Sequence, residues 1–512
     1  MAEPGGHWSP RFRGVLIALM LLVGIAVTMV STLSFAELEQ SWTPGSVARA
    51  VLGAVLALIS GVYVNIMLAV IVRLWRRPES TDLPLGDAVG KIGSTLRRPL
   101  RRLGIVLTVA AIVVAGLVLR PPDVGPEPGG LVIMTAFNES ANDPRTILFE
   151  QWNRANPENK LEVVPVSGEP DQQNARMVND AKPGGANRAD VYLLDVVWTA
   201  QFAEFQYIRE LDRSAASGDF VPRVLDTCTH GEKLWALPFN TDVGMLFYRT
   251  DLAKAPETWD DYLGSAAAIA AGAAGVEAAN AAALDDEEIL TVVALEAMWA
   301  AGGEAFSRNG QVARNADESA VELGPADLEG IERLAKASRD PAIVLNGARA
   351  TTDDAAVGAF AAGRSLYMRN WPVAYDKLVD RVEFAVAAPP TASVLGGQNL
   401  AISASTDKPR AAQALIEFLT SPSSQLILSE LGGFAPTRQS AYDNGKRPDL
   451  QEIRTALNDA RRRPVTPHYV EFSRMFREGI AYALTDQDSR LPPDLWKRLA
   501  EILNRPVVVP TG

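Results

Sequence analysis

Residues Gly231–Tyr262 read GEKLWALPFNTDVGMLFYRTDLAKAPETWDDY. Alternation ahead of Pro238 and the nearly unbroken apolar run Val243–Tyr248 predict two strands. Between them Asn240, Thr241 and Asp242 predict a polar turn. It offers an amide, a hydroxyl and a carboxylate, which together donate and accept several hydrogen bonds.

Working outward, the upstream chain alternates strand and helix. Leu131–Ala136, Leu161–Val166 and Asp190–Leu194 have strand character. Asp143-Pro144 has the pattern of a helix N-cap followed by proline, and Gln172–Ala181 and Thr199–Phe205 continue as helices. Such alternation predicts an α/β domain with a parallel sheet covered by helices on both faces. Ligands of such sheets sit outside the carboxyl ends of the strands. Asn138, Glu139, Ser167, Gly168 and Asp195 should therefore share one rim.

Downstream, the alanine-rich stretch Ala266–Ala283 is helical by propensity. Ile289–Ala300, Leu328–Ala337 and Ala355–Ala362 extend the helical character, with Gly363 as a C-cap. A short strand, Ser365–Met368, delivers Arg369-Asn370-Trp371-Pro372, where proline stops the strand and holds the tryptophan in a loop. Gly396-Gly397-Gln398-Asn399 leads into the strand Leu400–Ser403 and the helix Pro409–Leu419. A glycine turn then ends in Arg438, and helices follow at Leu450–Arg462, Tyr469–Ala483 and Pro493–Leu503.

The first 120 residues differ. Gly14–Phe35, Leu52–Val72 and Leu103–Leu119 are apolar runs long enough, or nearly so, to cross a bilayer. Between the second and third lie Arg73, Arg76, Arg77, Lys91, Arg97, Arg98, Arg101 and Arg102. The positive-inside rule puts that loop and the N-terminus in the cytoplasm, and everything beyond Leu119 outside. Residues 121–130, rich in proline and glycine, predict a stiffened linker.

Composition narrows the function. The 512 residues carry a net charge of −12, which opposes nucleic-acid binding, since phosphates require a basic face. One cysteine excludes an internal disulfide, and three scattered histidines leave little for a zinc site. No cofactor is expected, and no acid–base pair of a glycosidase is evident.

Five ordered segments carry a resemblance: Leu193–Trp198, Ala236–Val243, Phe360–Tyr375, Gly396–Ser403 and Gly433–Arg438. Together they resemble bacterial extracellular solute-binding proteins of the sugar-binding class, most of all the actinobacterial trehalose/maltose type. The resemblance implies a two-lobed periplasmic-binding-protein (venus-flytrap) fold, here preceded by three transmembrane helices. It implies one lobe of about 131–241 and 394–430 and another of about 242–393 and 431–512, with the opening stretch as a hinge crossing. It further implies capture of a sugar or similar solute for ABC permease subunits, without catalysis. Its ligand contacts would be Asn138, Glu139, Asp195, Asn240, Asp242, Glu288, Asn370, Trp371, the backbone of Gly397, and Arg438. Carboxylates and amides suit sugar hydroxyls, and an indole ring covers the C–H face. Two departures concern the second lobe. Glu287 and Ile289 stand where relatives often have tyrosine and glycine, and Val373 stands where many have an aromatic. A sensor or envelope scaffold using the same fold is the alternative.

Overall fold

A computed structural model describes residues 125–136, 143–262, 272 and 275–508. The three apolar runs, Asn138 and Glu139 lie outside the described residues. Among the described residues no helix is long and apolar enough to cross a membrane.

Twelve strands are described in chain order: β1 Leu131–Thr135, β2 Leu161–Pro165, β3 Val191–Asp195, β4 Thr229–His230, β5 Lys233–Leu234, β6 Leu237–Val243, β7 Met245–Arg249, β8 Ala278–Ala281, β9 Ser365–Asn370, β10 Phe384–Ala387, β11 Val394–Ile402 and β12 Arg461–Arg462. They make two larger sheets and the small β4–β5 pair. The first sheet runs β12-β11-β3-β1-β2, with β6 also paired to β11. The second runs β10-β7-β9-β8.

In the first lobe β1 pairs in parallel with β2 and β3, as strand–helix alternation predicts. β1 and β3 are apolar almost throughout because helices cover both faces of parallel strands. The sheet is nonetheless mixed, since β11 returns antiparallel to β3 and β6. Asp143 caps the Pro144–Ala155 helix by accepting from the Arg145 N–H, with proline in the first turn. Pro409 likewise opens the Pro409–Leu419 helix. The core beneath gathers Leu131, Ile133, Leu193, Phe202, Phe239 and Leu415.

In the second lobe β7 lies antiparallel to β9 and β10, while β8 runs parallel to β9. Helices Glu288–Ala300, Pro325–Arg339 and Tyr469–Thr485 pack on one another. Phe306, Phe472 and Phe476 join them in one aromatic cluster.

Three expectations are corrected. The helix expected over Leu450–Arg462 stops at Asp459, and its last two residues form β12 beside β11. Asn240, Thr241 and Asp242 do not form a turn. They continue β6 and pair with Gln398, Gly397 and Gly396 of β11. A local polar signal yields here to a long-range ladder partner. Ala278–Ala281, expected at the end of a helix, is a buried strand beside β9; small side chains let it lie close against its neighbours, so tertiary packing overrides alanine's helix propensity.

The chain passes between the two larger sheets at two connections. Gly244 alone separates β6 from β7. Residues 388–393 join β10 to β11, and β12 pairs with the start of β11 before the chain runs on to Tyr469.

Candidate functional site

Asp195 ends β3, at the rim where the sequence places it. Its carboxylate accepts from the Val197 N–H at 3.1 Å, capping a short helical turn. The same oxygen also accepts from Arg463 Nη2 at 2.7 Å. One carboxylate thus both caps the turn and pairs with an arginine.

Arg463 follows β12 and is almost fully buried, its side chain 3% exposed. Its other terminal nitrogen donates to Glu288 Oε1 at 2.8 Å. Glu288 begins a helix of the second lobe and also accepts from Ser473 Oγ at 2.7 Å and from the Tyr469 hydroxyl. One guanidinium therefore spans both lobes. Arg477 repeats the arrangement: it pairs with Asp171 of the first lobe and lies 3.5 Å from Asp286 of the second.

Asp242 stands on the first crossing. Burial, then the charge of Asp195, push its carboxyl up to about 7, against the opposing pull of Arg369 and Arg463. Asn240 points its amide at Asp242 Oδ2 over 3.3 Å, while its buried Oδ1 has no partner among the described residues.

Trp371, just past β9, is partly buried. A Cβ built on Gly396 would lie 3.2 Å from the Asp242 Cβ and 3.4 Å from the Trp371 ring, so the three meet at the crossings. The indole N–H donates to Asp353 Oδ2 at 3.0 Å. The Arg369 guanidinium lies 4.0 Å from the ring centroid, a cation–π contact. Arg369 is itself held by Glu296 through bonds of 2.7 and 3.0 Å, and Glu296 accepts from the Val394 N–H of the second crossing at 2.9 Å.

Other expected contacts have structural work. Asn370 is buried, donates to the Asp353 carbonyl and accepts from the Trp371 N–H, which fixes the loop carrying the ring. Gly397 has φ +115°, and a Cβ there would sit 2.4 Å from the Asn240 carbonyl oxygen. Glycine is required at this point by the β6–β11 approach. Arg438 is drawn elsewhere. It donates to the Thr420 and Ser217 carbonyls, pairs with Asp219 at 3.5 Å and lies over the Phe220 ring. Those partners engage its Nε and Nη1.

Sequence reasoning missed Arg463, Arg477, Tyr469, Ser473, Asp353 and Glu296. One signal was available: three consecutive arginines before Pro464 in an acidic chain. Among the described residues no group of three or more His, Cys, Asp or Glu side chains is placed to hold a metal ion.

Residues 148–455 match the family described as bacterial extracellular solute-binding protein. A curated relative, a probable ABC transporter-binding protein of Deinococcus radiodurans, is 28% identical over 371 residues, covering 65% of this chain and 84% of its own. Solved structures share the fold. Maltose-bound MalE3 of T. maritima superposes with a TM-score of 0.61 at 24% identity, covering 73% of this chain and 98% of its own. A solute-binding protein of Thermotoga lettingae bound with α-D-tagatose gives 0.63 at 20%, covering 73% and 100%. UgpB of Mycobacterium tuberculosis in complex with glycerophosphocholine gives 0.60 at 17%, covering 74% and 99%.

Proposed function

Since the chain belongs to the bacterial extracellular solute-binding protein family, and is a binding protein rather than an enzyme, we propose that it captures a carbohydrate or similar polar solute between its lobes and passes it to an ABC permease. In this reading the three N-terminal apolar runs span the membrane, with the N-terminus in the cytoplasm and the binding unit outside. The observation that carries the proposal is the convergence of Asp195 from one lobe and Glu288 from the other on a single guanidinium, Arg463, with Asp242 and Trp371 at the crossings. Carboxylates from both lobes match a ligand rich in hydroxyls, and the ring supplies a face for C–H groups. Each hydrogen bond to a charged group contributes about 1.5–3 kcal/mol in such a site. A solute that engages both lobes favours the closed arrangement by binding it better than the open one. The relatives with maltose, tagatose and glycerophosphocholine support a small polar solute as the ligand class.

Calorimetric titration of the full-length chain with maltodextrins, monosaccharides, polyols and glycerophosphodiesters tests this. Saturable binding to one class, weakened at least about tenfold by Trp371→Ala, is the expected result. A second reading, a sensor or envelope scaffold, is favoured by one feature: Arg463, Tyr469 and Ser473 all donate to Glu288, and Arg463 also donates to Asp195, which ties the lobes together through the protein's own groups. Silence across the panel from folded protein would select it over solute capture.

A further inference from the structure

Two helices begin opposite each other across the lobes. Pro170–Ala181 belongs to the first lobe and has Glu169 at its N-cap. Glu288–Ala300 belongs to the second and has Glu287 at its N-cap. Neither glutamate caps its own helix through its side chain. Instead the two carboxyl groups are hydrogen-bonded to each other across the interface. Ionised carboxylates only accept, so this bond requires a proton between them.

The surrounding charges decide how firmly that proton is held. Asp171, in the first turn of the first-lobe helix, pairs with Arg477 of the second-lobe helix Tyr469–Thr485. Arg477 also lies 3.5 Å from Asp286 and 4.0 Å from Glu288, the residues on either side of Glu287. Asp285 adds its charge from the same segment. Glu288 is further bonded to Arg463, Tyr469 and Ser473, and Arg463 is shared with Asp195. Arg477 and Arg463 thus stand against Glu169, Asp171, Asp195, Asp285, Asp286, Glu287 and Glu288. The carboxylates outnumber the guanidiniums, and neutralising one glutamate relieves repulsion between the lobes. Burial, then the bond and charge of Glu169 and the charge of Asp285, push the Glu287 carboxyl up to about 7, against the pull of Arg477.

We propose that bringing the lobes together takes up one proton, shared by Glu169 and Glu287, and that lobe closure is thereby a pH-sensitive switch. In the open arrangement the two glutamates separate, each is hydrated, and the proton leaves to solvent. The closed arrangement binds more protons than the open one, so acid favours it. Its advantage is complete below pH 4.5, the ordinary glutamate value, and is lost as pH rises through about 7. The switch rests on the hinge between the lobes and needs no solute.

Dyes on Glu417→Cys in the first lobe and Lys336→Cys in the second report lobe separation in the full-length chain by energy transfer. Both positions are exposed, and the native Cys228 is buried. Without solute, transfer should fall as pH is raised from 5 to 8. The closed-to-open ratio should drop at most about tenfold per pH unit, as for one proton. Glu287→Gln gives Glu169 a permanent N–H donor, so its lobes should stay together and its transfer should be flat over the same range. Glu169→Gln should do the same from the other side. Asp242, Arg463 and Arg477 are intact in both variants, so a pH dependence that persists in either assigns the effect to other groups and overturns the proposal. A parent whose transfer is flat from pH 5 to 8 overturns it as well. Because no solute is added, failure here leaves the capture reading standing, and silence across a ligand panel leaves the switch standing.

Discussion

Arg463 Nη2 lies 2.7 Å from Asp195 Oδ1, tying the end of β12 to the end of β3 across 268 residues of sequence. The same guanidinium holds Glu288, so the lobes are fastened by a cation whose two partners come from opposite sides of the hinge. Removing the cation should affect both closure and stability.

For Arg463→Met we expect a loss of about 3 kcal/mol, the lower end for breaking a buried ion pair because Asp195 keeps some solvent exposure. Denaturant unfolding measures the loss. Small-angle scattering of the same variant should show a larger radius of gyration as the lobes part. An unchanged radius would mean that Arg463 only braces the fold.

Asp242 predicts a pH dependence. Its carboxyl is raised from 3.8 to about 7, first by burial and then by Asp195. The folded protein therefore holds this proton over a range in which the unfolded chain has released it. The stabilisation is complete below pH 3.8 and is lost as pH rises toward 7, with a slope of at most about 1.4 kcal/mol per pH unit. Melting curves from pH 4 to 8 should be less steep in Asp242→Asn than in the parent. Parallel curves would assign the dependence to other groups.

At Gly397, an alanine would combine a φ of +115° with a Cβ 2.4 Å from the Asn240 carbonyl oxygen. Backbone strain and the forced separation of β6 from β11 should together cost at least about 2 kcal/mol. Chemical unfolding of Gly397→Ala checks this, and a change below 0.5 kcal/mol, the range of ordinary surface substitutions, would contradict the close approach.

Much of the first lobe was legible in the sequence. Pro409–Leu419 begins and ends as read, and Asp195 stands at the rim of the parallel strands; in the second lobe Gly363 takes the positive φ expected of a C-cap. These features depend on neighbours within a few residues. The site was legible in part. Asp195 and Glu288 share Arg463, and Asp242 and Trp371 flank Gly396, whereas Arg438 bonds Asp219, Ser217 and Thr420. The cation that joins Asp195 and Glu288 is Arg463. An arginine's reach and many donors let it serve several distant partners, so sequence position alone does not choose between them.

Strand and helix alternation, helix starts and the solute-binding resemblance were determined by the sequence itself, because periodicity and capping are local. Tertiary structure alone decided that Asn240–Asp242 run straight through as a strand, since β11 supplies their ladder partners and Ala435 bridges Thr241. It also decided that an alanine run becomes β8, and that Arg463 joins Asp195 and Glu288. Those outcomes depend on segments far apart in the chain, and pairing energies between such segments exceed the small local preferences they override.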